Sequence, residues 1–267
     1  MDPKVKIAIA THKKYWMPSD SCYLPLHVGR KKGQDIGYIG DDTGDHISWK
    51  NPYYCELTGL YWCWKNQPAA YLGLAHYRRQ YSVKSWLYRK THKKEECVMT
   101  DEELQELLYQ YNVILPKKRN YVIENIRDHY LHTHYREPLE ALEQLLKEEY
   151  PEYIPYYETV MKRRSAHMFN MYIMRRDLSD AYCEWVFGVL EKLEPRIDAE
   201  VRSYSRFQAR VYGRLSELLF NVWLEKNIKN RFRMKSIPVI YMEDENWLRK
   251  GYRFLKSKFM NQIYEQS

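Results

Sequence analysis

The chain is 267 residues long and 45% hydrophobic, with ten Gly, eleven Pro and no long polar tract, so it can bury a core and is not a disordered protein. Its five cysteines, Cys22, Cys55, Cys63, Cys97 and Cys183, contain no CxxC pair, which argues against a disulfide framework or a structural zinc set and for a reducing compartment. A formal charge of +8 with 26 Tyr and 8 Trp predicts an anionic partner: nucleic acid, lipid head groups or a diphosphate-bearing substrate.

The opening MDPKVKIAIATHKKYW holds an apolar run too short for a signal peptide. No later run reaches the roughly 18 to 20 apolar residues of a membrane span, so a cytosolic protein is expected. Residues 4–10, KVKIAIA, read as a buried first strand ending in the polar Thr11-His12-Lys13-Lys14. Residues 36–39 form a short strand running into the acidic turn Asp41-Asp42-Thr43-Gly44-Asp45. Asn51-Pro52 opens a helix through residue 66, with Leu57, Leu60, Tyr61 and Trp64 at helical spacing. Residues 70–74 are a strand that delivers Ala75-His76-Tyr77-Arg78-Arg79 to the same edge of a parallel sheet.

A helix at residues 100–111, acidic in its first turn, leads to a strand at 113–115 stopped by Pro116. Residues 123–161 read as mainly helical and charged, broken near Pro151 and Pro155, and suit an acceptor-side subregion. A strand at 167–174 is followed by helices at 178–193 and 205–226 and a last strand at 237–241. The alternation predicts an α/β fold, a mixed sheet flanked by helices in one domain over residues 1–245. Over residues 246–267 the stripe Leu248, Tyr252, Leu255, Phe259 and Ile263, flanked by Arg249, Lys250, Arg253, Lys256 and Lys258, predicts a basic amphipathic helix. Such a helix either lies on an anionic bilayer or docks on the core.

Chemistry concentrates at a few places. His76-Tyr77-Arg78-Arg79 puts two planar guanidiniums at a strand end, where they match diphosphate oxygens or form a solvated basic turn. Asp41, Asp42 and Asp45 offer hard oxygens to Mn2+ or Mg2+, or acceptors for ribose and sugar hydroxyls, and hydroxyl binding ranks first. At about 100° per residue, Arg210, Gly213 and Glu217 share a helical stripe away from the apolar one. A carboxylate there can deprotonate an acceptor hydroxyl, or merely pair with Arg214. His129, His132 and His134 do not share one helical face, so no metal is assigned to them.

The segments Gly44-Asp45-His46-Ile47-Ser48, Lys50-Asn51-Pro52-Tyr53-Tyr54-Cys55-Glu56-Leu57-Thr58, Gly73-Leu74-Ala75-His76-Tyr77-Arg78-Arg79, Asn170-Met171-Tyr172-Ile173-Met174 and Arg210-Val211-Tyr212-Gly213-Arg214-Leu215-Ser216-Glu217 together resemble the DUF4422 family of bacterial capsular and exopolysaccharide glycosyltransferases. The resemblance implies a GT-A-like fold and transfer of a hexose, galactopyranose or galactofuranose, from a UDP-sugar to a lipid-linked saccharide, with inversion. It implies Glu217 as base with Asp45 second. Thr11, His12, Asp45, Asn51, Glu56, His76, Tyr77, Arg78, Arg79, Arg210 and Gly213 fall on the donor side, and His134, His167 and Asn170 on the acceptor side. His76–Arg79 stands where many GT-A enzymes carry Asp-x-Asp, so no metal ligand is assigned. Expected partners are the donor, the lipid-linked acceptor, the cytoplasmic face of the membrane and other polysaccharide-assembly enzymes, and not nucleic acid. Two other classes compete: a nucleic-acid-binding protein, since cations interleaved with Tyr and Trp also hold single strands, and a non-catalytic scaffold that binds nucleotide sugars.

Overall fold

The computed structural model describes residues 4–243. In the first strand, β1 (Val5–Thr11), Val5, Ile7 and Ile9 enter one apolar cluster and Ala8 and Ala10 another. Both sides of the strand are therefore buried, which makes it central. β2 (Tyr23–His27) lies parallel to β1, and β3 (Ile39–Gly40) parallel to β2. After two short helices, α1 (Asn51–Tyr54) and α2 (Leu57–Asn66), β4 (Tyr71–His76) pairs parallel with the other side of β1. β5 (Arg79–Tyr81) folds straight back on β4. Then come α3 (Trp86–Thr91) and α4 (Asp101–Leu108), the latter started by a capping box between Thr100 and Glu103.

β6 (Val113–Pro116) continues into β7 (Arg119–Asn120), and α5 (Ile126–Thr133), α6 (Glu137–Glu149) and α7 (Ile154–Met161) follow as a helical block. β8 (Ser165–Ala166) pairs with β7, while β9 (Tyr172–Arg175) runs antiparallel between β4 and β6. The long α8 (Arg176–Ser203) and α9 (Val211–Trp223) pack on one face, and β10 (Met234–Ile237) and β11 (Val239–Tyr241), the last described strands, lie beside β6 and β5. The order β10-β6-β9-β4-β1-β2-β3 is a mostly parallel sheet with one reversed strand. None of the described helices is long and apolar enough to cross a membrane. The basic helix expected at 246–267 lies outside the described residues.

Several expected elements differ in extent. Sequence reading makes no assignment at β2; the strand tolerates Pro25 because β3 pairs only with Leu26 and His27 and leaves position 25 at an edge. The single helix expected at 51–66 breaks at Cys55, whose φ of 54° is left-handed. The strand expected from 167 begins at Tyr172, after two left-handed residues, and the helix expected from 205 begins at Val211. The last expected strand is two, β10 and β11, separated at Pro238.

Candidate active site

β1, β2, β4 and β6 all run the same way, so the residues that follow each of them meet along one edge of the sheet, where α/β folds bind ligands. A cleft of 1490 Å³ opens there. It is lined by His12 after β1, Val28 after β2, Tyr77 after β4 and Arg119 after β6, and it is faced by α5, α9 and the loop before α9. The volume exceeds the roughly 300–1,000 Å³ of a single small-molecule pocket and leaves room for two substrates.

Two carboxylates line the cleft, Glu56 and Glu217. Glu56 is exposed to it by the break between α1 and α2, which Asn51 holds through Nδ2 donating to the Cys55 carbonyl at 2.8 Å and to Thr58 Oγ1 at 3.2 Å. Glu217 lies on α9, seated close to that break because residue 213 is glycine. A Cβ there would meet Cys55 Sγ at 3.1 Å and the Tyr54 carbonyl at 3.3 Å, so Gly213 serves backbone approach between α9 and α1. Between the two acids sit Phe169 and Asn170, with φ of 74° and 53°. The Phe169 N–H donates to Glu217 Oε1 at 2.8 Å, and Asn170 Nδ2 donates to Glu56 Oε1 at 2.7 Å and to the Gly213 carbonyl at 3.0 Å. Ser216 donates to Asn170 Oδ1 at 2.9 Å. Burial, then the charge of Glu56, pushes the Glu217 carboxyl up to about 7, against the Phe169 N–H and the charges of Arg79 and Arg119.

His76, at the end of β4, contacts the Phe169 carbonyl through Nε2 at 2.7 Å. A carbonyl only accepts, so Nε2 carries the proton, and burial keeps the ring's pKa below its ordinary value. Arg79 stacks on the Phe169 ring, its Cζ 4.2 Å from the centroid, and so shares one support with Glu217. Arg78 turns the other way, 5.3 Å over the ring of Tyr77, with Nη1 3.4 Å from Glu243. His12 meets the edge of Tyr77, with ring centroids 5.3 Å apart, and is held below its ordinary pKa by burial and then by Arg78, Lys13, Arg210 and Arg206.

Arg119, Arg206, Arg210 and Arg214, with Lys13 and Lys14, bring the cleft's lysine and arginine complement to eight against two carboxylates. Its potential is therefore strongly positive. Arg210 Nε lies 3.0 Å from Cys55 Sγ, and the Arg214 guanidinium donates to the carbonyls of Phe207 and Gln208. Arg210 is thus the residue just before α9 and not a member of its stripe. Arg119, Arg206 and Arg214 were not anticipated. The basic run Lys117-Lys118-Arg119 after the β6 strand was the available signal for the first, by the same strand-end reasoning that singles out Arg78 and Arg79.

The remaining anticipated residues divide. Asn51, His134 and Gly213 line the cleft. His134 is neutral, its pKa well below the ordinary value through burial and Arg214; Nδ1 bonds Gln208 Oε1 at 3.0 Å, which leaves Nε2 as an acceptor. Thr11, buried, binds its own loop at Lys13 and is not on the wall. Asp45 is not on the wall either; it accepts from Tyr61 at 3.1 Å, while Asn66 bridges its backbone. Asp41 staples the loop after β2, accepting from the Gly29 and Arg30 N–H groups and from Ser48. His167 faces a separate 330 Å³ cavity and contacts the Pro116 carbonyl at 2.7 Å. Asn170 is buried, its amide holding Glu56 and the Gly213 carbonyl. His129 and His132 both contact the buried Glu124. Among the described residues no group of three or more His, Cys, Asp or Glu side chains is arranged to hold a metal ion, and the β4 end presents cations. The donor set there does not fit a divalent ion.

A mostly parallel sheet in which β9 and β5 are reversed, helices on both faces and an anion-attracting cleft at the strand ends make a GT-A-like fold. The chain belongs to the DUF4422 family, described as a domain of unknown function, whose model matches residues 6–229. Among solved structures it is similar to the apo form of the bifunctional glycosyltransferase WbbM, with 31% identity and a TM-score of 0.80. The match covers 91% of this chain and 46% of that one, so this chain spans about half the length of WbbM. No curated protein matches.

Proposed function

We propose that this chain is a glycosyltransferase that moves a hexose from a UDP-sugar to a lipid-linked saccharide in the synthesis of a bacterial surface polysaccharide such as capsule, O-antigen or exopolysaccharide, with inversion. Likeness to WbbM supports the transferase class, and the family resemblance supports galactose, as pyranose or furanose. The carrying observation is one cleft in which a proton-seeking carboxylate and a guanidinium lie on two sides of the same residue, Phe169. In this reading the acceptor hydroxyl gives its proton to Glu217 as its oxygen bonds to the anomeric carbon. The bond from that carbon to the diphosphate breaks, and its electron pair leaves on the diphosphate, whose charge Arg79 and Arg78 meet. Glu56, His12 and Arg210 orient the donor, and the face built by Tyr121, Tyr130, His134 and Phe207 receives the acceptor sugar, with the membrane and neighbouring assembly enzymes as its source.

Glu217→Gln tests this. The amide still accepts from the Phe169 N–H but takes no proton, so calorimetric UDP binding persists while transfer falls roughly 10²- to 10⁴-fold. Retained turnover removes Glu217 as base. A nucleotide-sugar-binding scaffold predicts instead that cells carrying the variant make unchanged polysaccharide.

A further inference from the structure

Away from the cleft, Trp86 and Leu87 stand side by side in the first turn of α3, 64% and 65% exposed. The helix buries none of its residues, yet it is fixed in place. Ser85 accepts from the Tyr88 N–H at 3.2 Å, Arg89 Nε donates to the Lys84 carbonyl at 3.2 Å, and Tyr88 packs against the core beneath. An adjacent exposed Trp-Leu pair on a rigid support costs solvation that a purely soluble role would not require. Its surroundings are cationic: Lys84, Arg89, Lys90, Lys93 and Lys94 against Glu95 and Glu96 between residues 84 and 96, with Lys90 Nζ 4.9 Å from the Trp86 ring centre.

The place of the protrusion matters as much as its make-up. Arg79, in the cleft, opens β5, and that strand leads through a short loop into α3. Lys94 Nζ donates to the Met242 carbonyl at 3.4 Å, and the Met242 N–H donates to the Arg78 carbonyl at 2.9 Å. Met242 therefore ties this segment to the end of β4 beside the cleft. Between 249 and 258 the sequence carries five basic residues and no acidic one.

We propose that α3 is a membrane-docking element: Trp86 and Leu87 enter the interfacial layer of an anionic bilayer, and Lys90 and Lys93 meet its lipid phosphates. Trp suits that layer because its ring is apolar and its N–H wet, and each exposed cation near an anionic surface adds attraction. The patch stands on its own residues; that it brings the cleft to a lipid-linked acceptor rests on the transferase reading.

The test is co-sedimentation of the full chain with vesicles of phosphatidylcholine alone or mixed with phosphatidylglycerol, comparing wild type with the Trp86→Ala, Leu87→Ala double variant, and UDP binding measured on the same preparations. Wild type should bind the anionic vesicles, and the double variant should bind them at least about tenfold less, the order expected when two large apolar side chains are withdrawn. Both should bind UDP equally, which shows the variant folded. Equal vesicle binding by the two proteins overturns the proposal. So does a wild type that ignores vesicles, including one that self-associates through Trp86, which would assign the patch to a second copy. A wild type that binds vesicles but no UDP or other nucleotide would instead sink the transferase reading and leave the docking element standing.

Discussion

Phe169 and Asn170 each hold a left-handed backbone, which costs a residue with a Cβ roughly 1 kcal/mol or more. That conformation aims one N–H at Glu217 and one amide at Glu56, so one short segment holds both acids on the cleft. Glu56 is the second cause, after burial, of the high proton affinity of Glu217, and this has a measurable consequence. Activity that needs the Glu217 carboxylate should rise with pH along a limb centred near 7, because the acid must first lose its proton. In Glu56→Gln the neighbouring charge is gone and the limb should move to lower pH, read from kcat/KM across pH 5 to 9. A limb that stays in place would mean the titrating group is not Glu217.

At the scale of elements, the cleft depends on how closely α9 approaches the break between α1 and α2. Gly213→Ala puts a methyl group 3.1 Å from Cys55 Sγ and 3.3 Å from the Tyr54 carbonyl, and a backbone carbonyl cannot move aside cheaply. The variant should lose about 1–3 kcal/mol of stability by denaturant titration, and its turnover should fall because Glu217 shifts with its helix. Unchanged stability would mean that α1 yields. Sequence reading reached this region only in part. Apolar runs located β1, β4 and β6, helical spacing of apolar residues located α2, α8 and α9, and strand-end reasoning picked out His12 and His76 to Arg79, whereas α3, which buries none of its residues, gave no such signal. It took residues 51–66 as one helix, because the turn at Cys55 is a non-glycine left-handed residue held by tertiary contacts, for which no local residue type is a signal. It extended the strand back to 167 for the same reason, as Phe169 and Asn170 look like ordinary strand residues. Asp45 seemed close to the chemistry because it follows a strand end, but that turn points toward Tyr61 and Asn66, and only the packing of α2 decides that.

Taken whole, the molecule gathers positive charge on the cleft edge and places most of its carboxylates elsewhere, in surface pairs such as Arg136 with Glu140 and Lys147 with Glu143. One ion-paired acid is an exception. Glu243, the last described residue, accepts from Lys13 Nζ at 3.1 Å and from Arg78 Nη1 at 3.4 Å. Both cations line the cleft, and in the transferase reading the chain's own acid holds a place that an incoming anion would take. On the proposed reading, a diphosphate arriving there displaces Glu243 from both. Glu243→Gln should therefore tighten UDP binding roughly two- to fivefold, the scale of an exposed ion pair, and the gain should vanish when Arg78→Ala is added. If titration shows the same affinity in all three proteins, the diphosphate does not pass that way. If the gain appears, Glu243 and the diphosphate are rivals for one pair of cations, and the empty protein screens its own entrance until a donor arrives.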